Sequence, residues 1–67
     1  MKKELSAMAI MRRKALLTQE EAAEKLGMER STVAKWETGV SSPRAGMLLR
    51  IAQLYDCTVE ELLGKTA

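Results

Sequence analysis

The side chains able to act on another molecule are few and mostly basic. There is no histidine, so neither a proton shuttle near neutral pH nor an imidazole metal site is available. The single cysteine, Cys57, cannot form an internal disulfide, and no spacing resembles a metal cluster. No base stands beside a nucleophile in a pattern that would activate it, so no residue is nominated as catalytic. What remains is positive charge with hydroxyls and amides between: Arg12-Arg13-Lys14, Gln19, Arg30-Ser31, Lys35, then Ser41-Ser42 and Arg44. Such groups hold anions and hydrogen-bond acceptors rather than transform them. The charge is uneven, with ten basic and six acidic residues over 1–50 but one and three over 51–67.

These groups need elements to position them. A chain of 67 residues is one small domain, near the lower limit for a single unstapled core, and residues 1–67 read as one unit. Its 46% apolar content includes nine Leu, nine Ala and five Met, but three Val, two Ile and only Trp36 and Tyr55 as aromatics. That favours helices over strands. Leu5, Met8, Met11 and Ala15 recur at three- and four-residue steps, predicting a first helix between Lys3 and Ala15. Arg12, Arg13 and Lys14 fall in its last turn, where positive charge suits the helix dipole.

Thr18-Gln19-Glu20-Glu21 has the capping-box pattern and opens a second helix through Ala22, Ala23 and Leu26 to Gly27. A third runs from about Arg30 to Thr38, with Val33 and Trp36 inward and Gly39 ending it. Its outer face, Arg30, Ser31, Ala34 and Lys35, is polar or small and therefore open to close approach. Val40-Ser41-Ser42-Pro43 reads as a loop in which Ser42 caps and Pro43 begins a fourth helix, burying Leu48, Ile51, Ala52 and Tyr55. Thr58-Val59-Glu60-Glu61 is a second capping box, opening a short fifth helix with Leu62 and Leu63 that stops at Gly64. No apolar run approaches the roughly 20 residues of a membrane span and no signal-peptide core is present, so a soluble, cytoplasmic protein is expected. The expectation is an all-α, compact five-helix bundle, in which two short helices joined through a glycine-containing turn suggest a DNA-binding helix-turn-helix.

The stretch TQEEAAEKLGMERSTVAKWETG, followed by SSPRAGMLLRIAQLYDCTVEELLG, resembles the Cro/repressor (XRE) family of bacterial and phage helix-turn-helix regulators, over about residues 5–64. Gln19 opening the second helix, Ala23 at the helix crossing, Gly27 in the turn, Val33 and Trp36 in the core, Glu37-Thr38-Gly39, Pro43 and the closing T-V-E-E-L-L carry it. Ala23 must be small where two backbones cross, and Gly27 permits the sharp reversal. The resemblance implies a lambda-repressor-like domain with the helix-turn-helix in helices two and three. It implies base contacts from Arg30, Ser31 and Lys35, with Glu29 and Ala34 beside them. Arg and Lys suit O6 and N7 of guanine, each good contact discriminating by about 1–3 kcal/mol, so guanine is expected in each half-site. Ala34 either packs on a thymine methyl or does nothing. Glu29 either accepts from cytosine N4 or serves the helix N-terminus.

The same resemblance implies phosphate contacts from Gln19, Thr18, Thr32, Ser41, Ser42 and Arg44, and an Arg12–Glu37 bridge whose guanidinium also faces a phosphate. Three departures stand out. Leu16 and Asp56 occupy places where the family has Gly, so two helix ends are strained or shifted by a residue. Ala22 replaces a Leu, leaving volume for Met11 or Met28. The Val40-Ser41-Ser42 loop lacks the common Lys or Arg, which lowers the expected affinity and its salt dependence.

Since one helix-turn-helix reads few base pairs, a homodimer on an inverted repeat is implied, its half-sites ~34 Å apart. Leu54, Val59, Leu62 and Leu63 are the candidate dimer surface, although Leu62 and Cys57 suit a plain core equally well. Contact between Glu20-Glu21-Glu24 and RNA polymerase would convert repression to activation; a solvated helix face is the plainer reading of that patch. The implied function is sequence-specific regulation of transcription on double-stranded DNA, with no metal, cofactor, small-molecule ligand or membrane. The alternative is a protein-interaction module on the same scaffold, such as an antitoxin or anti-regulator.

Overall fold

Ser6 opens the first helix. Its backbone is extended and its hydroxyl accepts from the Ala9 amide at 3.1 Å, so α1 is Ala7–Lys14. The expected start at Lys3 is too early for that reason, and Leu5 lies outside residues 6–64, which this computed structural model describes. The capping box at Thr18 forms as read: Thr18 N–H donates to Glu21 Oε1 at 2.9 Å and Glu21 N–H to Thr18 Oγ1 at 3.0 Å, starting α2 at Gln19–Leu26. The reciprocal pair recurs between Thr58 and Glu61, starting α5 at Val59–Leu62.

α3 is Arg30–Thr38 and α4 is Ala45–Tyr55, and neither has a side-chain cap. Glu29 occupies the cap position of α3 without capping it. The expectation that Ser42 caps α4 and Pro43 begins it is corrected. Arg44 is still extended, at φ −74° and ψ 165°, so the helix starts at Ala45, while Pro43 borders Trp36 in the groove below. Among the described residues every regular element is a helix.

Four helix ends share one device. The amide two residues beyond each turn reaches back to a carbonyl of the last helical turn: Leu17 to Arg12 at 3.2 Å, Met28 to Ala23 at 2.9 Å, Val40 to Lys35 at 3.0 Å and Cys57 to Ala52 at 2.9 Å. Closing that loop requires a left-handed residue in between. Gly27 and Gly39 supply it without cost, but α1 and α4 use Leu16 at φ +62° and Asp56 at φ +56°. The register is kept and the cost falls on the backbone of those two residues.

One core gathers these elements. Val33 and Ile51 are its most buried large side chains, with Met8, Leu26, Trp36, Tyr55 and Leu62 around them. Ala22 and Ala23 are both buried in α2, and Met11 and Met28 pack half-buried against the same core. Leu48 is likewise half-buried against it.

Leu16 is 88% exposed, so it contributes almost no packing in return for its strained backbone. Leu16→Gly therefore stabilises the fold by about 0.5–1 kcal/mol, a rise of a few degrees in Tm by circular dichroism. Asp56→Gly gains less, because aspartate tolerates the left-handed region better than leucine.

Candidate nucleic-acid interface

Arg12 leaves α1 two residues before its end and points inward. Its Nε donates to Glu37 Oε2 at 2.6 Å and its Nη2 to Glu37 Oε1 at 3.1 Å, a two-pronged pair joining α1 to α3. Nη1 donates to the Leu17 carbonyl at 2.8 Å. The two side chains are 10% and 7% exposed. The hydrogen bonds to Glu37 raise the guanidinium pKa above its already high ordinary value, so Arg12 stays charged.

The carboxylate of Glu37 has a third partner. Gln19 Nε2 donates to Glu37 Oε1 at 2.9 Å, which turns the Gln19 carbonyl outward, and Arg30 Nη1 donates to that carbonyl at 3.3 Å. A continuous line of bonds thus runs from the buried Arg12 through Glu37 and Gln19 to an exposed arginine at the start of α3. The Gln19 link to Glu37 and to Arg30 was not readable from the chain: the partners are 18 and 11 residues away, and no local pattern announces them.

The remaining expected residues fall into groups. On α3, Arg30, Ser31 and Lys35 are exposed, Ala34 is half-buried at the edge of the same face, and Glu29 is exposed just before it. On one flank a hollow is lined by Arg12, Thr18 and Gln19 together with Arg30. On the other, Thr32, Ser42 and Arg44 converge on a smaller hollow floored by Met28, Trp36 and Met47. Residues 30 and 32 lie about 200° apart around a helix, at ~100° per residue, which is why the two hollows flank α3 rather than merge. Ser41 stands apart from both and borders an apolar groove lined by Met8, Leu48 and Leu62.

Arg13 also lines the first hollow, a place its sequence reading as a helix-dipole partner did not suggest. The acidic patch shrinks, since Glu21 is spent on the capping box while Glu20 and Glu24 remain exposed. Leu62 is 3% exposed and belongs to the core, which removes it from any surface offered to a partner. Leu54 and Val59 are half-buried, and Leu63 is 52% exposed. Cys57 is half-buried, and burial raises its thiol pKa. Among the described residues no group of acidic or sulfur side chains is arranged to hold a metal, and no helix is long and apolar enough to cross a membrane.

Two outcomes follow from the buried pair. Glu37→Gln preserves shape but strands the Arg12 charge in the interior, costing about 3–5 kcal/mol, to be read as a lower urea midpoint by the fluorescence of Trp36, the only tryptophan. Tyr55 is the only tyrosine, and burial, aided by the negative charge of Glu37 against the opposing charge of Arg12, raises its pKa from 10.0 to about 12. The folded state thus holds the phenol proton more tightly than the unfolded chain does. Stability from this group is complete below about pH 10 and is lost as the pH rises toward 12. Tyrosinate absorbance of the folded protein titrates late, and Tyr55→Phe flattens that part of the stability profile.

The chain matches the helix-turn-helix family over residues 8–62. It is 40% identical over 48 residues to the HTH-type transcriptional activator BcrR of Enterococcus faecalis, covering 72% of this chain and 24% of that protein. It is 39% identical over 54 residues to the HTH-type transcriptional regulator ImmR of Bacillus subtilis, covering 81% and 42%. With the regulator AnsR of the same organism it shares 34% over 61 residues, covering 91% and 53%. The chain therefore spans between about a quarter and about half of the length of these relatives. No solved structure gives a significant match. The family match spans α1, the capping box of α2, the Gly27 turn and all of α3, and the chain belongs to the helix-turn-helix family, in which these relatives are named transcriptional regulators.

Proposed function

We propose that this chain binds a specific inverted-repeat sequence in double-stranded DNA as a homodimer, with α3 in the major groove, and regulates transcription by occupying that site. The observation that carries the reading is the way α3 is held. Val33 and Trp36 anchor one side of it, Glu37 near its end is bonded to α1 and α2, and Arg30, Ser31 and Lys35 project from the opposite side. A rigid helix with one free basic face is what base readout requires, because guanidinium and ammonium groups must meet O6 and N7 of guanine at fixed positions. Glu29 and Ala34 border that face. The naming of the relatives as transcriptional regulators supports the same reading.

Phosphate contacts then come from the flanking hollows: Thr18, Gln19 and Arg12 on one side, Thr32, Ser42 and Arg44 on the other, with Ser41 at the loop beyond. Two copies are needed for specificity, and Leu54, Val59 and Leu63 form the surface at which they meet. An RNA polymerase contact through Glu20 and Glu24 would turn occupancy into activation.

Selection from a random duplex library at two salt concentrations tests the proposal. The expected result is an enriched inverted repeat with half-sites about one helical turn apart and guanine in each. In the Arg30→Ala, Lys35→Ala double variant the guanine preference disappears, with a loss of about 1–3 kcal/mol for each good contact removed. Retention without any motif, or no retention, would sink the reading and favour a protein partner instead.

A further inference from the structure

The resemblance assigns the phosphate-facing charge of α1 to Arg12, but Arg12 is already committed. Three of the five N–H donors a guanidinium carries are used inside the protein, two on Glu37 and one on the Leu17 carbonyl. Its charge is cancelled at contact distance by the Glu37 carboxylate. Two N–H groups remain, enough for a hydrogen bond at the rim but not for a net positive charge there. Affinity for a polyanion depends on net charge, because each phosphate neutralised releases condensed counterions.

The next residue is differently placed. Arg13 is exposed, makes no side-chain hydrogen bond and has no ion-pair partner among the described residues. Its side chain nonetheless lines the same hollow as Arg12, Thr18, Gln19, Glu20 and Arg30. Of the cations there, Arg12 is neutralised, while Arg30 keeps its charge but is held by the Gln19 carbonyl at the edge of α3, away from α1. The Glu20 carboxylate on the rim opposes an anion, so an uncommitted positive charge is needed to make the hollow attractive to phosphate.

We infer that Arg13 is the phosphate-binding cation of this flank, with the neutralised Arg12 acting as the positioning residue that holds the Leu17 turn beneath it. The inference rests on the DNA-binding reading above and deepens it. It also offsets part of the charge that the Val40-Ser41-Ser42 loop lacks. A phosphate contact carries no base information, so its loss weakens binding on every sequence alike.

The test compares the wild-type chain, Arg13→Gln and Lys14→Gln on a fluorescein-labelled random-sequence duplex, and on the selected site, across roughly 50–200 mM salt. Lys14→Gln removes the same charge from the same helical turn but does not line the hollow, so it reports the effect of helix dipole and net charge alone. Arg13→Gln is expected to lower the slope of log Kobs against log salt by about 0.9, and to weaken binding several-fold at low salt, equally on both duplexes and with unchanged Tm. A slope in Arg13→Gln equal to that of Lys14→Gln overturns the inference while leaving DNA binding intact. Absence of any wild-type binding removes the proposed function, and this inference with it.

Discussion

The placement of α3 against α1 depends on one buried ion pair. Arg12 and Glu37 are 25 residues apart and belong to helices that do not follow each other in the chain, so their two parallel hydrogen bonds set how α3 lies on α1. Taking two charges out of water is expensive, and such a pair adds little net stability over a well-packed apolar substitute. Its value is geometric. An apolar contact tolerates sliding, whereas a guanidinium and a carboxylate locked in a fork tolerate very little. Gln19 donates to Glu37 and the Leu17 carbonyl accepts a third N–H of Arg12, and no buried side-chain nitrogen or oxygen among the described residues lacks a partner. A completed network of this kind stiffens what it connects.

The strained turn after α1 belongs to the same arrangement. Leu16 adopts the left-handed conformation so that the Leu17 amide can return to the Arg12 carbonyl, and the Leu17 carbonyl in turn receives the Arg12 guanidinium. Arg12 thus grips Leu17 by both its main-chain carbonyl and its side chain. A relaxed turn in another register would break both bonds, and this is how the fold sustains an unfavourable φ at an exposed leucine.

Much of the fold was legible in the chain because its signals are local. Both capping boxes, the Gly27 and Gly39 stops and the inward Val33 and Trp36 are short-range patterns, and each stands where its spacing put it. The starts of α1 and α4 depart from the sequence expectation for opposite reasons. Ser6 caps a helix whose apolar stripe seemed to begin earlier, and Ser42-Pro43 imitates a cap although Arg44 is still extended. Leu62 illustrates a different limit: a four-residue helix offers too little periodicity to tell its buried side from its exposed one. The outward face of α3 was readable as a face. Its connection through Gln19 was not, since that depends on where three separate helices bring their side chains.

α3 has no side-chain cap. Its outward residues Ser31 and Lys35 make no side-chain bond among the described residues, and Arg30 makes a single long one. The helix is retained by Val33 and Trp36, which face away from Ser31 and Lys35, and by the Glu37 pair with Arg12. Alphabet and binding are therefore separate in this molecule, as type is separate from the press that holds it. Under the proposed function, Ser31 and Lys35 can be exchanged with little penalty in folding, so a lineage built on this scaffold would acquire new targets faster than new shapes.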